Sequence, residues 1–139
     1  MDTNIGFEKS LINNLSIGIA VTNQQGNILF TNKAIRKLTG YTKKEVRTLN
    51  EWFEKAYPDP AIREKAMKSF EHDLEHEISD RTYRITTARG NYKYFNFRYS
   101  KLSADKMLYE IIDITDRIKQ QQRLENQKVI FENLFTNSL

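Results

Sequence analysis

Between Tyr83 and Thr115 the chain sets three β-type runs around two tight turns, and this block restricts the available folds more than any other feature. Tyr83 to Ala88 alternates as a strand, Arg89-Gly90-Asn91 turns, and Tyr92 to Leu102 runs as a longer strand. Ser103-Ala104-Asp105 turns again, and Met107 to Thr115 makes the last strand. Turns this short join antiparallel neighbours, because a parallel return needs a crossover of about a dozen residues or more. The block therefore predicts an antiparallel meander. In its long strand Phe95, Phe97 and Tyr99 alternate with Asn96 and Arg98, which places the three aromatics on the buried face. At Asp116 the pattern breaks into Lys, Gln, Arg, Glu and Asn, with Ile118, Leu124 and Phe131 as an incomplete heptad seam. A helix leaving the body follows.

Upstream, Phe7, Leu11, Ile12 and Leu15 fall at helical spacing and predict a short amphipathic helix, whose stripe packs on the chain's own sheet or meets a second copy. Ile17 to Thr22, a turn holding Gly26, and Ile28 to Thr31 read as a hairpin. Asn32 caps a helix bearing Ala34, Ile35 and Leu38 that Gly40 closes. Thr42-Lys43-Lys44-Glu45 is a capping box, with Tyr41 able to staple onto Val46, so a second short helix is expected there. A further helical turn is read around Glu51 to Ala56, with Trp52 and Phe53 in the core. Pro58-Asp59-Pro60 starts a longer helix running to Glu77, with Ile62, Ala66, Met67, Phe70 and Leu74 on one face. Ser79-Asp80-Arg81 breaks the chain before the meander.

At 139 residues there is room for one domain of about 100–120 residues and a tail. Eight Phe, seven Tyr and one Trp supply an aromatic core. The 22 basic and 18 acidic residues leave a net charge of +4 without a basic block, so no nucleic-acid partner is expected. Absence of cysteine excludes disulfides, thiol catalysis and a flavin–cysteine photoadduct. No apolar run reaches the roughly 18 residues of a membrane span, and no signal peptide opens the chain, so direct membrane insertion is not expected.

Several short segments together resemble the PAS domains of signalling proteins. Ile17-Gly18-Ile19-Ala20-Val21-Thr22-Asn23 with Gly26-Asn27-Ile28 looks like the family's first hairpin. Asn32-Lys33-Ala34, Gly40-Tyr41 and Lys44-Glu45-Val46 resemble its following segment. Trp52 and Tyr57-Pro58-Asp59-Pro60 resemble its middle, and Gly90 with Tyr92-Lys93-Tyr94 a later strand entry. Asp113-Ile114-Thr115 looks like its exit motif. The likeness covers about residues 8 to 120; Asn23 stands where the family often has aspartate, which the turn tolerates. It implies an α+β PAS fold: a five-stranded antiparallel sheet in order 2-1-5-4-3, with short helices on one face and flanking N- and C-terminal helices. The expected division is a flanking helix over 1–15, the sensory domain over 16–116, a linker helix over 117–130, and over 131–139 a segment similar to the start of a following PAS domain.

No catalytic constellation stands out. His72 and His76, four residues apart on one helical turn, could share a metal, and a haem-binding subgroup of the family uses a histidine on this helix. They lie opposite the Ile62–Leu74 stripe among acidic residues, which reads as a solvated face, so no metal ligand is assigned. The candidate pocket is bounded by Ile19, Ile35, Leu38, Phe53, Met67, Phe70, Phe97 and Ile112, which either fill the core or enclose a small apolar or aromatic ligand. No particular cofactor is expected. Asp113, Thr115 and Arg117 are the candidate relay into the exit helix. The resemblance implies a cytoplasmic sensory module, itself not an enzyme, that dimerises through its flanking helices and signals to an output domain of the same chain. A histidine kinase comes first and a diguanylate cyclase next. The alternatives are a haem- or flavin-bearing redox or gas sensor and a ligand-free dimerisation or docking module.

Overall fold

The computed structural model describes residues 2–78 and 80–137. Helix α1 (Asp2–Asn13) precedes the hairpin β1 (Gly18–Asn23) and β2 (Ile28–Thr31); then come α2 (Lys33–Thr39), α3 (Leu49–Ala56) and α4 (Pro60–Glu75). The meander β3 (Asp80–Thr86), β4 (Tyr92–Ser103) and β5 (Lys106–Asp113) leads into α5 (Thr115–Asn137). The five strands form one antiparallel sheet in the order β2-β1-β5-β4-β3. Element order, sheet order and α+β class thus follow the sequence reading. Of the expected break at 79–81, Ser79 lies outside the described residues, and Asp80 and Arg81 already belong to β3.

Register sorts the residues between faces. Phe97 pairs with Ile111, Tyr99 with Tyr109, and Tyr109 with Ala20, so these side chains share the face covered by α2, α3 and α4. Phe95 and Ile85 are fully buried there, and each contributes roughly 2–3 kcal/mol as a buried large apolar side chain. Gly18 lets α2 approach β1: a Cβ at this position would stand 2.8 Å from Ile35 Cδ1. At the other end of α2, Gly40 adopts φ 76°, the left-handed conformation that closes the helix, and donates its N–H to Arg36 O.

Asn32 fastens three elements at once. Its Oδ1 accepts from Ile19 N at 2.9 Å and caps α2 at Ile35 N, while its Nδ2 donates to Ile12 O and Ile17 O. Buried polar groups satisfied in this way hold strands and helices in one register.

Three local expectations need correction. The capping box at Thr42 forms, with Thr42 Oγ1 accepting from Glu45 N at 3.3 Å and Glu45 Oε1 accepting from Thr42 N at 3.1 Å, but only one turn develops. Beyond it the backbone is held by the hairpin turn, because Ile28 N donates to Arg47 O and Leu49 N to Gly26 O. The segment is thereby committed to pairing before a second turn can form. The helix read around Glu51 begins earlier, at Leu49, capped by Thr48 Oγ1 on Glu51 N. Finally, the α4 stripe is rotated from the expected one. Ala66, Met67 and Phe70 face the core as expected, but Ile62 and Leu74 are exposed and Asp73 is buried. Phe7 and Leu11 on α1, and Leu15 just beyond it, are exposed as well, so that stripe is not covered by the chain's own sheet.

Candidate functional site

A cavity of about 600 Å³ lies between the sheet and the helical layer. Its floor is Ala20, Thr22, Phe97, Tyr99, Tyr109 and Ile111, and its roof includes Ile35 from α2, Trp52 and Phe53 from α3, and Phe70 from α4. Several of the rings meet edge to face, a favoured arrangement for aromatic quadrupoles, while Phe53 stacks on Tyr57. Trp52 stands 6.3 Å from Tyr41 and 6.3 Å from Phe97, and Phe70 stands 5.4 Å from Tyr99. At one end, between α2 and the single turn after Gly40, the lining becomes exposed and basic with Lys33, Arg36, Lys43 and Lys44.

Of the eight residues expected around a pocket, Ile35, Phe53, Phe70 and Phe97 line this cavity. Leu38 and Met67 pack against the core cluster without lining it. Ile19 and Ile112 belong to the opposite face of the sheet, since Ile19 pairs with Glu110 and Ile112 with Asn96, one residue out of step with the cavity-facing set. Tyr109 and Ile111 occupy the places expected of Ile112. The sequence signal was present in Glu110, whose charge marks the outward phase of β5.

The deep wall is rich in tyrosine. Burial pushes the hydroxyls of Tyr57 and Tyr99 well above the ordinary phenol range, and for each of them Tyr83 adds to the effect. Tyr109 is raised by burial and partly offset by Thr22, whose Oγ1 donates to it at 3.1 Å. The Tyr83 hydroxyl is buried without a hydrogen bond of standard geometry, although the Ser69 side chain acts to favour its ionised form. These groups stay neutral at physiological pH and offer polarity without charge.

Behind the wall, Asp73 is fully buried and accepts from Arg81 Nε and Nη2, both at 2.9 Å. This bidentate pair raises the guanidinium pKa, first by hydrogen bonding and then by charge. The turn that brings the two together is a left-handed Glu77 at φ 55°, with Ile78 N donating to Asp73 O. Asp73 belongs to the acidic residues around His72 and His76 that the sequence reading places on a solvated face, yet it is buried. It lies three residues beyond Phe70 and seven beyond Ala66, on the buried side. His72 and His76 are exposed, stacked 4.0 Å apart, and outside the cavity. Among the described residues no three potential metal ligands gather.

At the exit of the sheet, Asp113 Oδ1 accepts from Thr115 N at 2.9 Å and from the Thr115 hydroxyl. Thr115 Oγ1 accepts from Tyr94 N at 3.0 Å, Tyr94 O accepts from Ile114 N at 2.9 Å, and Lys93 Nζ lies 3.8 Å from Asp113 Oδ2. Asp113 and Thr115 are therefore joined to β4. Arg117 is exposed on the first turn of α5, apart from this group. Residues 117–130 and 131–137 are one uninterrupted helix; of the expected last segment, Ser138 and Leu139 lie outside the described residues. Among the described residues no helix is long and apolar enough to cross a membrane.

A five-stranded antiparallel sheet in this order, helices on one face enclosing a cavity, and a clamped exit helix define an α+β domain of sensory architecture. The family described as PAS fold matches residues 7–106, and the chain belongs to it. Its fold is similar to that of an RNA-binding light-oxygen-voltage receptor, at 22% identity and TM-score 0.70 over 93% of this chain. The chain spans 38% of that receptor's length. A sensory box histidine kinase/response regulator from Burkholderia thailandensis is similar at 21% identity and TM-score 0.65, covering 94% of this chain and 98% of the other. The N-terminal domain of a diguanylate cyclase with PAS/PAC sensor from Marinobacter aquaeolei is similar at 14% identity and TM-score 0.62, covering 73% and 97%. At these identities the likeness is one of fold. Comparison with curated proteins gives no match.

Proposed function

We propose that this chain is the sensory module of a signalling protein, in which a small molecule held in the cavity changes the balance between two positions of α5. The observation that carries this reading is the continuity of β5. Its Tyr109 and Ile111 form cavity floor, and two residues after Ile111 comes Asp113, which holds the first turn of α5. A ligand that packs better against one placement of β5 shifts the equilibrium by its difference in affinity for the two states, and by no more than that. Asp113 and Thr115 carry the shift from sheet to helix. The domain itself does no chemistry in this scheme. Catalysis belongs to an output domain downstream in the same protein, a histidine kinase first and a diguanylate cyclase next, in keeping with the names of two similar structures. The module works in the cytoplasm as a homodimer whose contacts come from the exposed apolar residues of α1 and α5, such as Phe7, Leu11, Leu124 and Phe131.

Native mass spectrometry of the chain purified from cells, compared with its denatured mass, tests ligand sensing. The expected result is an extra small-molecule mass that disappears on denaturation. A bare chain mass overturns it and favours a docking module that works through its terminal helices alone.

A further inference from the structure

The cavity lining is asymmetric in charge. Lys33 and Arg36 from α2 and Lys43 and Lys44 from the turn after Gly40 line its exposed end, and among the described residues no carboxylate lines it. None of the four cations makes a salt bridge with a described residue. The Glu45 carboxylate, next in sequence to Lys44, is held by the Thr42 N–H and hydroxyl and lies within the fields of Lys55 and then Arg36. One carboxylate against four cations leaves the mouth strongly positive.

Resting on the sensory reading above, we infer that the cavity takes an aromatic monoacid, with the ring inside and the carboxylate at the Arg36–Lys43–Lys44 mouth. Desolvation fixes the orientation. The interior presents aromatic faces and neutral hydroxyls, so an ionised carboxylate placed there would lose its hydration without gaining a cation. At the mouth it keeps water and gains charge. The ring in turn meets Trp52 and Phe97, which stand edge to face, and Phe70, which stands edge to face with Tyr99, and such packing continues readily onto one more ring. A volume of about 600 Å³ falls within the range of small-molecule sites. The mouth lies between α2 and the single turn at Thr42.

Three probes with one body separate the terms: 4-phenylbutyrate, its neutral amide, and 4-phenylbutylamine. Binding to the intact chain is read by calorimetry and by the NMR shift of the Trp52 indole N–H, the only indole in the protein. The expected order is acid, then amide, then amine, with the acid about tenfold tighter than the amide at low salt. That ratio falls toward one in high salt, because exposed charges are screened within about 10 Å. In K43Q/K44Q the acid weakens several-fold and the amide does not change. Both lysines are exposed, so this variant retains the fold. Equal binding of acid and amide overturns the assignment of an anion and leaves the cavity reading standing. An acid preference that survives K43Q/K44Q and R36Q overturns the placement of the carboxylate. Failure of all three probes to bind or to move Trp52 overturns the inference, while the ligand-sensing reading stands or falls on the bound mass seen by native mass spectrometry.

Discussion

Asp73 and Asp113 each join a helix to the sheet, the first from the last turns of α4 to β3, the second from the end of β5 to the start of α5. Asp73 is wholly enclosed and meets a guanidinium fork through two bonds of equal length. Asp113 is partly open to water, bonds the backbone and hydroxyl of a residue two positions away, and has its lysine at 3.8 Å. A buried bidentate pair has one good geometry, and distorting it exposes a desolvated charge. An exposed cluster of single bonds can exchange each partner for water at small cost. The difference divides the domain into a wall that keeps its shape and an exit that can move. A sensor needs both, because a cavity that yields everywhere transmits nothing to one particular helix.

The comparison breaks most directly at Arg81. Arg81→Met leaves Asp73 buried without its cation and is expected to destabilise the chain by about 3 kcal/mol in urea unfolding. This is the lower end of the usual range, because the Arg81 side chain is 41% exposed and admits water to the site. The double variant Asp73→Leu with Arg81→Met recovers most of the loss, since no orphan charge remains. A loss below about 1 kcal/mol for the single variant removes the distinction between wall and exit.

Alkaline pH sharpens the same contrast, because the tyrosines beside the pair resist ionisation. Tyr57 and Tyr99 have folded-state pKa values raised above the unfolded phenol value by burial. The folded chain then holds more protons than the unfolded one above about pH 10, so stability is full below that pH and falls as pH rises toward the folded values. The slope is about 1.4 kcal/mol per pH unit for each protected tyrosine. Hydrogen exchange above pH 10 is expected to show α4 and β3 losing protection together with the appearance of tyrosinate absorbance. Tyrosinate appearing fully while α4 keeps its protection would show that the wall is open to hydroxide and less rigid than the geometry implies.

The parts of this architecture visible in the sequence are those set by local chemistry. Short turns dictated the meander, Asn32 and Gly40 delimited α2, and Asp59-Pro60 started α4 where expected. What escaped depends on residues far apart in the chain. The Thr42 capping box is a correct local signal overruled by pairing of Arg47 and Leu49 with the first hairpin turn. Asp73 sits in an acidic run that reads as solvated, and its burial follows from Arg81, which only the Glu77 turn brings back to it. On β1 and β5 both faces are partly apolar, so alternation alone chose Ile19 and Ile112 where Ala20 and Ile111 face the cavity.

The smallest expected change in stability carries the most information about signalling. Asp113→Ala removes the acceptor for Thr115 N and its hydroxyl, partly exposed bonds worth about 1 kcal/mol in sum, so the chain stays folded. Thr115 Oγ1 can still accept from Tyr94 N, and Ile114 N can still donate to Tyr94 O, but the Thr115 rotamer loses one of its two hydrogen bonds and the link from sheet to helix weakens. Hydrogen exchange in the first turn of α5 is expected to rise several-fold while β4 and α4 keep their protection, which separates a local release from general loosening. In the signalling protein proposed above, the same substitution should leave ligand affinity at the cavity nearly intact and reduce the difference in output between the two proposed signal states. Unchanged output difference with a loosened first turn would show that α5 takes its orientation from packing on β4 and not from the Asp113 clamp.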